Sequence, residues 1–568
     1  MARTMYADGD TSTEGSSDDA EEGREILAGL KISSRKVVKS SFSAWRHCLG
    51  KNSTAEFAED CEIALRAAIL CVVFAAPFMM PASYFPSGQA LNSKLSIAQN
   101  GVMYFLFTIW KSFGSCLDVI RQNIIGISIW VLHSWIWDGL ILNDALGMQV
   151  TEPGLTPLSL LIWVEGALFI FISLWLNFSP NVALWIVGSF VWTWMSKLQP
   201  GTEDDVRISS ISNYLGVLVG GVMALVAMLL PYPIFSIWKA KDTGNEIITM
   251  LSDTWEEYVR CFHRTEDQAR VNLLARDVRQ ARAKIAVLEG HLGDARWEVY
   301  LSSSWRGSYR MLQRTVPYLK DLCDRLLTMI DNGVEEQDYA AKTKSKEDEE
   351  YTYQMLGSIE GAIDAFVALQ AACSQAILDG KITKKDAQAL QEAVGRARAG
   401  RESLQNMHRQ THEKTAGGVI GAHGVNEQSL STCIVCFEAC AMIGDTVVLS
   451  EDLIGHSKGQ ATVPDIPGVF DGATAIFDRE VLYDPRHLKW ALRFLVLLVV
   501  AQVIGYLGLG VIPPYSVYIA NVISVMVNQR GPGSELLKDL ARIQGMIVGT
   551  VGGQFINAFL GGCSVMSQ

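Results

Sequence analysis

The 568-residue chain is poor in charge: only 19% of it is Asp, Glu, Lys or Arg, against 49% hydrophobic residues. A soluble domain averages about 25% charged residues, so part of this chain belongs in lipid. Base is scarcer than acid, with 48 Lys and Arg against 60 Asp and Glu and a net charge of −12. That balance excludes the basic face of a nucleic-acid binder. The 11 cysteines are odd in number, scattered and partly inside apolar runs, which excludes a secreted disulfide framework and leaves free thiols. The opening "MARTMYADGDTSTEGSSDDAEEG" has no apolar core and is no secretory signal peptide. It reads as a disordered acidic tail. No phosphate-cradling glycine loop before a lysine, no G-x-S-x-G and no H-E-x-x-H occurs, so the chain is expected to be neither an enzyme nor an ATP-driven pump, and to need no cofactor.

What the chain has instead is long apolar runs. A crossing helix needs about 20 apolar residues. Nine stretches approach that length: 62–80, 96–110, 118–137, 155–177, 181–196, 211–235, 488–510, 515–528 and 543–562. The segment "KISSRKVVKSSFSAWRHCLGKN" ahead of the first is strongly basic, which assigns the N-terminus to the cytosol. The 138–154 segment, with Asp138, Asp144 and Glu152, then reads as an outer loop, as does the acidic run at Glu203, Asp204 and Asp205. Lys111, Arg121, Lys239 and Lys241 fall on the inner side.

The expected architecture is all-α: a polytopic helical membrane protein with a cytosolic N-terminus at 1–58, a six-span block at 59–238, a helical cytosolic domain at 239–485 and a partial block of about three spans at 486–568. Residues 271–292 place Val271, Leu274, Val278, Ala281, Ile285, Leu288 and Leu292 at alternating spacings of three and four, the seam of a coiled coil. That seam serves packing within the domain or joins a second chain. Further helices are expected at 305–332, 352–380, 384–410 and 427–450.

The two membrane blocks resemble each other. "ALRAAILCVV" is matched by "ALRFLVLLVV", Pro81 and Pro86 by Pro513 and Pro514, Arg66 by Arg493 and Arg121 by Arg542. Six spans separate the two starts, so the blocks form a parallel repeat, a plan in which transporters place their substrate path between the copies.

"ALRAAILCVV", "DVIRQNIIGI", "NYLGVLVGGVMALVAMLLPYP" and the second-block copy at 491–553 resemble the fusaric-acid-resistance-like, or aromatic acid exporter, superfamily, which includes the plant aluminium-activated malate transporters. The resemblance covers most of 60–330 and 486–562. It implies six spans, a helical cytosolic domain, a second membrane block and organic-anion substrates. The plant members carry Trp-Glu-Pro after the membrane block. Here Trp297 and Glu298 are followed by Val299, and the second block stops after about three spans. A dimer is the natural expectation from an incomplete block.

Several residues could carry chemistry. Arg66 and Arg493 sit just inside their helices; they either snorkel to lipid phosphate or form an anion-attracting ring at the inner mouth of a pore. Arg121 and Arg542 each follow an acid by three residues, Asp118 and Asp539, so a local ion pair competes with a pore role. Lys111 and Lys538 read as topology signals. Glu165, deep in a span, needs either a partner among the arginines or a proton-coupling role. Asn100, Asn123 and Asn521 suit interhelical hydrogen bonds, and the Gly216–Gly220 and Gly545–Gly549 pairs suit close helix packing. Cys433, Cys436 and Cys440 share a helix face and His408 and His412 stand one turn apart, but small buried residues on a packed face explain the cysteines better than zinc. The function read from all this is transport of organic anions, carboxylates, across a plasma or internal membrane, down a gradient or in exchange with protons through Glu165. The rival is a non-transporting membrane scaffold whose helical domain binds partners.

Overall fold

A computed structural model describes residues 55–79, 97–145, 156–199, 206–261, 268–343, 365–375, 384–419, 427–457, 474–508 and 512–525, with isolated positions at 382, 544, 545 and 551. It is 90% helical with no strand among these residues. The chain divides into two units: residues 60–234 with 467–568, and residues 235–466 with 1–59. The stretch at 467–485 therefore groups with the membrane helices, although its sequence reads as the end of the helical domain.

The first unit holds the apolar helices. They are α1 (Ala55–Met79), α2 (Ile97–Thr108), α3 (Phe113–His133), α4 (Pro157–Trp175), α5 (Pro180–Leu198), α6 (Val206–Leu229), and, after the long excursion, a helix at Pro485–Leu507 and a short one at Tyr518–Val525. Five helices among the described residues are long and apolar enough to cross a membrane: Phe57–Phe78, Phe113–Ile141, Pro157–Trp175, Ser210–Leu229 and Pro485–Leu507. The chain is thus a polytopic helical membrane protein. Of the other expected spans, α2 has 12 residues, too few to cross on its own. The ninth, at 543–562, lies almost wholly outside the described residues.

Local sequence sets the helix ends. Ser112 has extended backbone and accepts from the Ser115 N–H, while Ser115 Oγ accepts from Ser112 N–H, a reciprocal cap at the start of α3. Thr156 caps α4 ahead of Pro157, whose missing N–H costs nothing at a first helical position. Asp484 and Pro485 repeat that device, and the same helix stops at Gly508, whose φ of 69° is left-handed. A side chain there would also meet the Ile512 carbonyl at 2.7 Å.

Cross-contacts fix the helix directions. Phe113 N–H donates to the Ile234 carbonyl at 2.9 Å and Ile120 lies against Gly221, so α3 and α6 are antiparallel. Ser179 bonds Gln122, Gly126 abuts Val182 and Trp130 bonds Thr193, so α3 and α5 are parallel. Gln502 donates to the Val191 carbonyl and Gly505 faces Met195, which aligns the Pro485–Leu507 helix with α5. Arg66 reaches Ala227 while Phe74 lies against Gly101, which sets α1 antiparallel to α6 and parallel to α3. The first helices of the two membrane blocks therefore run the same way, as the matched sequences require.

Gly216 and Gly220 lie where α6 meets α2. A Cβ on Gly220 would sit 2.5 Å from the Phe105 backbone nitrogen, and one on Gly216 would sit 2.9 Å from Asn100. Asn100 donates to Ser212 and Asn123 to Thr108, both between helices. The Asn521 side chain has no such contact among the described residues, and Gly549 of the Gly545–Gly549 pair lies outside them.

The second unit packs α7 (Ser236–Cys261), α8 (Gln268–Glu298), α9 (Ser303–Thr343), α10 (Lys384–Val419) and α11 (Glu427–Ser457), with a helical segment at 365–375. All seven seam residues of α8 are buried in its core, against α7 and α9 of the same chain. Cys436 and Cys440 are buried in that core too; the Cys433 side chain lies outside the described residues. Glu298 is fully buried, and its two carboxylate oxygens accept from the N–H groups of Ser236 and Ile237 at 2.8 and 2.9 Å. It neutralises the start of α7, where backbone donors have no helical partner. Val299 N–H donates to the Ala295 carbonyl, a bond that proline in its place could not make.

Replacing Gly220 with Ala should destabilise the membrane unit by about 1–3 kcal/mol through overpacking. Replacing Gly290, whose Cβ position is open, should stabilise its helix by about 0.5–1 kcal/mol. Thermal unfolding in detergent, followed by tryptophan fluorescence, reads both.

Candidate functional site

The membrane unit buries charge in two places. The first lies at the C-terminal end of α6. Arg66 is 7% exposed: Nη1 donates to the carbonyls of Ala227 and Tyr232 at 3.0 Å each, and Nη2 to Glu62 at 2.5 Å, while Nε and the second Glu62 oxygen have no hydrogen-bond partner among the described residues. Its guanidinium carbon stands 4.4 Å from the centre of the Tyr232 ring, whose hydroxyl also bonds Glu62. The spacing of Glu62 and Arg66, one helical turn, makes the pair local. Arginine here also satisfies a carbonyl that the end of α6 leaves open.

Arg493, its sequence counterpart, is exposed on the Pro485–Leu507 helix. The two arginines thus have different surroundings, one enclosed and one open. Arg121 bonds Asp118 at 3.1 Å through Nη2 and at 3.3 Å through Nε, and Gln122 donates to the other oxygen of the same acid. Arg542 lies outside the described residues.

The second place is a four-residue cluster. Glu165, 9% exposed at mid-α4, has Oε1 2.8 Å from His133 Nε2. Its partner is this histidine and not one of the arginines, because α4 lies between α5 and the Pro485–Leu507 helix, with the end of α3 beside it. Close approach of α4 and α5 depends on Gly166. Trp194 lies across that residue, where a Cβ would stand 2.3 Å from its ring, and donates its indole N–H to the Ile162 carbonyl. His133 is packed between Phe169, at 3.8 Å between ring centres, and Phe190 at 5.4 Å.

Asp138 completes the cluster, and its position corrects the sequence reading. It is not an outer-loop acid. The helix does not end near residue 137 but runs on as a wider π-helical segment at Ser134–Ala145. Asp138 is buried there at 5% exposure and forms an ion pair with Lys197 from the end of α5. Lys197 also stands 5.4 Å above the Phe190 ring. The charges acting on Asp138 are Lys197, Glu165 and His133, so the two pairs form one electrostatic unit. Apolar hydropathy across "SIWVLHSWIW" conceals where this helix stops, since the sequence after it, "DGLILNDALG", is only mildly polar. A basic residue one position past the expected span at 181–196 signals nothing unusual, so Lys197 escapes a sequence reading as well.

Several polar atoms here have no hydrogen-bond partner among the described residues: Glu165 Oε2, Asp138 Oδ2, His133 Nδ1, Ser134 Oγ and Trp137 Nε1. Buried polar groups are normally paired, and π-helical turns recur at functional sites. His133 with Trp137, and Ser134 with Asp138, stand one turn apart, so the open donors and acceptors gather on neighbouring faces of one segment.

The fold and this cluster define a class: a helical membrane protein with paired ionisable residues buried among its spans. No family model matches the chain, and no curated protein matches it significantly.

Removing Arg66 alone should cost about 3–5 kcal/mol, since it strands the Glu62 charge in the membrane unit. Removing both Glu62 and Arg66 should cost less than Arg66→Ala alone. Melting temperatures of the purified variants distinguish these outcomes.

Proposed function

We propose that the protein transports organic anions, carboxylates in particular, across its membrane, with Glu165 and His133 carrying protons in exchange. One observation supports this most: two buried acids, Asp138 and Glu165, are paired with the mostly buried Lys197 and His133 among the apolar helices of the membrane unit. Charge is costly there and is kept for pathways and relays. A histidine paired with a carboxylate is suited to passing a proton. Of the two transport modes open from the sequence, the His133–Glu165 pair favours exchange over passive flow. The resemblance to organic-anion exporters supplies the substrate class.

In this reading the basic segment before α1 places the N-terminus and the helical unit in the cytosol. Arg493, open on its helix, and Arg121, with Arg542 as its sequence match, attract anions on the inner side. Arg66 supports the mouth from within the protein. The chain works as a dimer.

Reconstitution in vesicles tests the proposal. Labelled malate or benzoate should move across vesicles containing the protein faster than across empty ones, and an opposing proton gradient should accelerate it. Glu165→Gln should cut proton-driven flux by about tenfold or more, equivalent to about 1.4 kcal/mol or more on the barrier, while insertion stays normal. Flux no greater than in empty vesicles would favour the scaffold.

A further inference from the structure

We propose that Asp138 and Lys197 form a proton-operated carboxylate site: protonation of Asp138 frees the Lys197 ammonium to bind the carboxylate of the transported anion. The proposal rests on the transport reading above and adds to it the residue that holds the anion and the residue that controls access.

The geometry supplies each part. Lys197 is mostly buried and faces one carboxylate, Asp138, which is its ion-pair partner. While Asp138 is ionised, the ammonium is already neutralised and has little attraction left for a substrate. From α3 the group facing this pair is His133, and from α4 it is Glu165. α6 also packs on the π-helical segment; its charged residue, Arg207, has its side chain outside the described residues. Glu165 is a second acid whose charge acts on Asp138. The Trp137 N–H and Ser134 O–H are buried donors without acceptors among the described residues, on the same segment as Asp138. With Lys197 they make a donor set for a carboxylate, a cation and two neutral hydrogen-bond donors. An acidic substrate group would satisfy atoms that the protein leaves open.

The step balances. A proton from water adds to a carboxylate oxygen of Asp138 and forms an O–H bond. The Asp138–Lys197 ion pair opens, with no covalent change at Lys197, which stays an ammonium. The substrate carboxylate takes the place of Asp138 as counter-ion. One proton and one monoanion occupy the site together, so its net charge is unchanged; the Asp138 proton is given back to the side it came from when the ion pair re-forms, and the exchanged proton is the one Glu165 and His133 carry.

Benzoate binding to the detergent-solubilised full chain tests this, measured calorimetrically in buffers of different ionisation enthalpy, over a pH range in which benzoate stays ionised. The wild type should take up about one proton per benzoate, and its Kd should rise about tenfold per pH unit above the titration of Asp138. Asp138→Asn should bind benzoate with no proton uptake and a Kd independent of pH. Asp138→Glu should restore the pH dependence. Lys197→Gln should lose binding, also when combined with Asp138→Asn, a neutral pair that keeps the site foldable. Wild-type binding without proton uptake and with a flat pH profile would overturn the switch while leaving benzoate transport standing. Absence of binding at every pH, together with absence of flux in vesicles, would overturn both readings. Retained pH dependence in Asp138→Asn would move the proton to another group and refute the assignment.

Discussion

Charge in the apolar unit of this protein is tolerated in opposite pairs, and much of the arrangement follows from that constraint. Glu62 faces Arg66, Asp118 faces Arg121, Glu165 faces His133 and Asp138 faces Lys197. Taking an ion out of water costs several kcal/mol even after relaxation. A helix carrying a buried acid must therefore pack where another element presents a base. The Asp138–Lys197 pair draws the end of the α3 extension onto the end of α5, and the Glu165–His133 pair ties α4 to the same place. Gly166 and Trp194 provide the close approach that both pairs need.

The pairs differ in what they leave over. Around Arg66, two carbonyls, a carboxylate and an aromatic ring surround the guanidinium, and such a site suits structure more than traffic. Around Asp138 and Glu165, each carboxylate keeps an oxygen without a hydrogen bond, and an indole, a hydroxyl and an imidazole nitrogen are similarly open. The first site leaves Arg66 Nε and one Glu62 oxygen open, and the second leaves more such atoms and joins two ion pairs instead of one. Each buried unpaired group costs stability, and this larger open set is the reason for assigning function to the second cluster.

How much of this was legible in the sequence depends on how local each signal is. The α8 seam could be read because its heptad spacing survives folding unchanged, and all seven positions are buried. The Asp118–Arg121 pair lay within one helical turn and was equally readable; Glu62–Arg66 has the same local spacing, but reading Arg66 as facing lipid or a pore leaves Glu62 out. Gly216 and Gly220 announced the close contact of α6 with α2. Glu165 stood out because an acid in a long apolar run has no other explanation. Its partner did not, since His133 is 32 positions away and histidine is common at span ends. Asp138 was misplaced for a physical reason: hydropathy measures transfer to lipid, and a helix that continues inside protein need not be apolar. Lys197 was hidden in the same way. The link between these residues exists only after four helical segments have assembled, and no one-dimensional pattern encodes it.

The direct measurement of the pairing principle is charge reversal at the second cluster. Asp138→Lys and Lys197→Asp should each leave like charges buried together, and each should lose most of the folded protein recovered from membranes. The combined exchange, which restores an opposite pair in the reverse order, should recover a monodisperse, folded particle. Single reversals that fold as well as the combined exchange would contradict the account, because the two side chains would then not be neutralising each other inside the membrane unit.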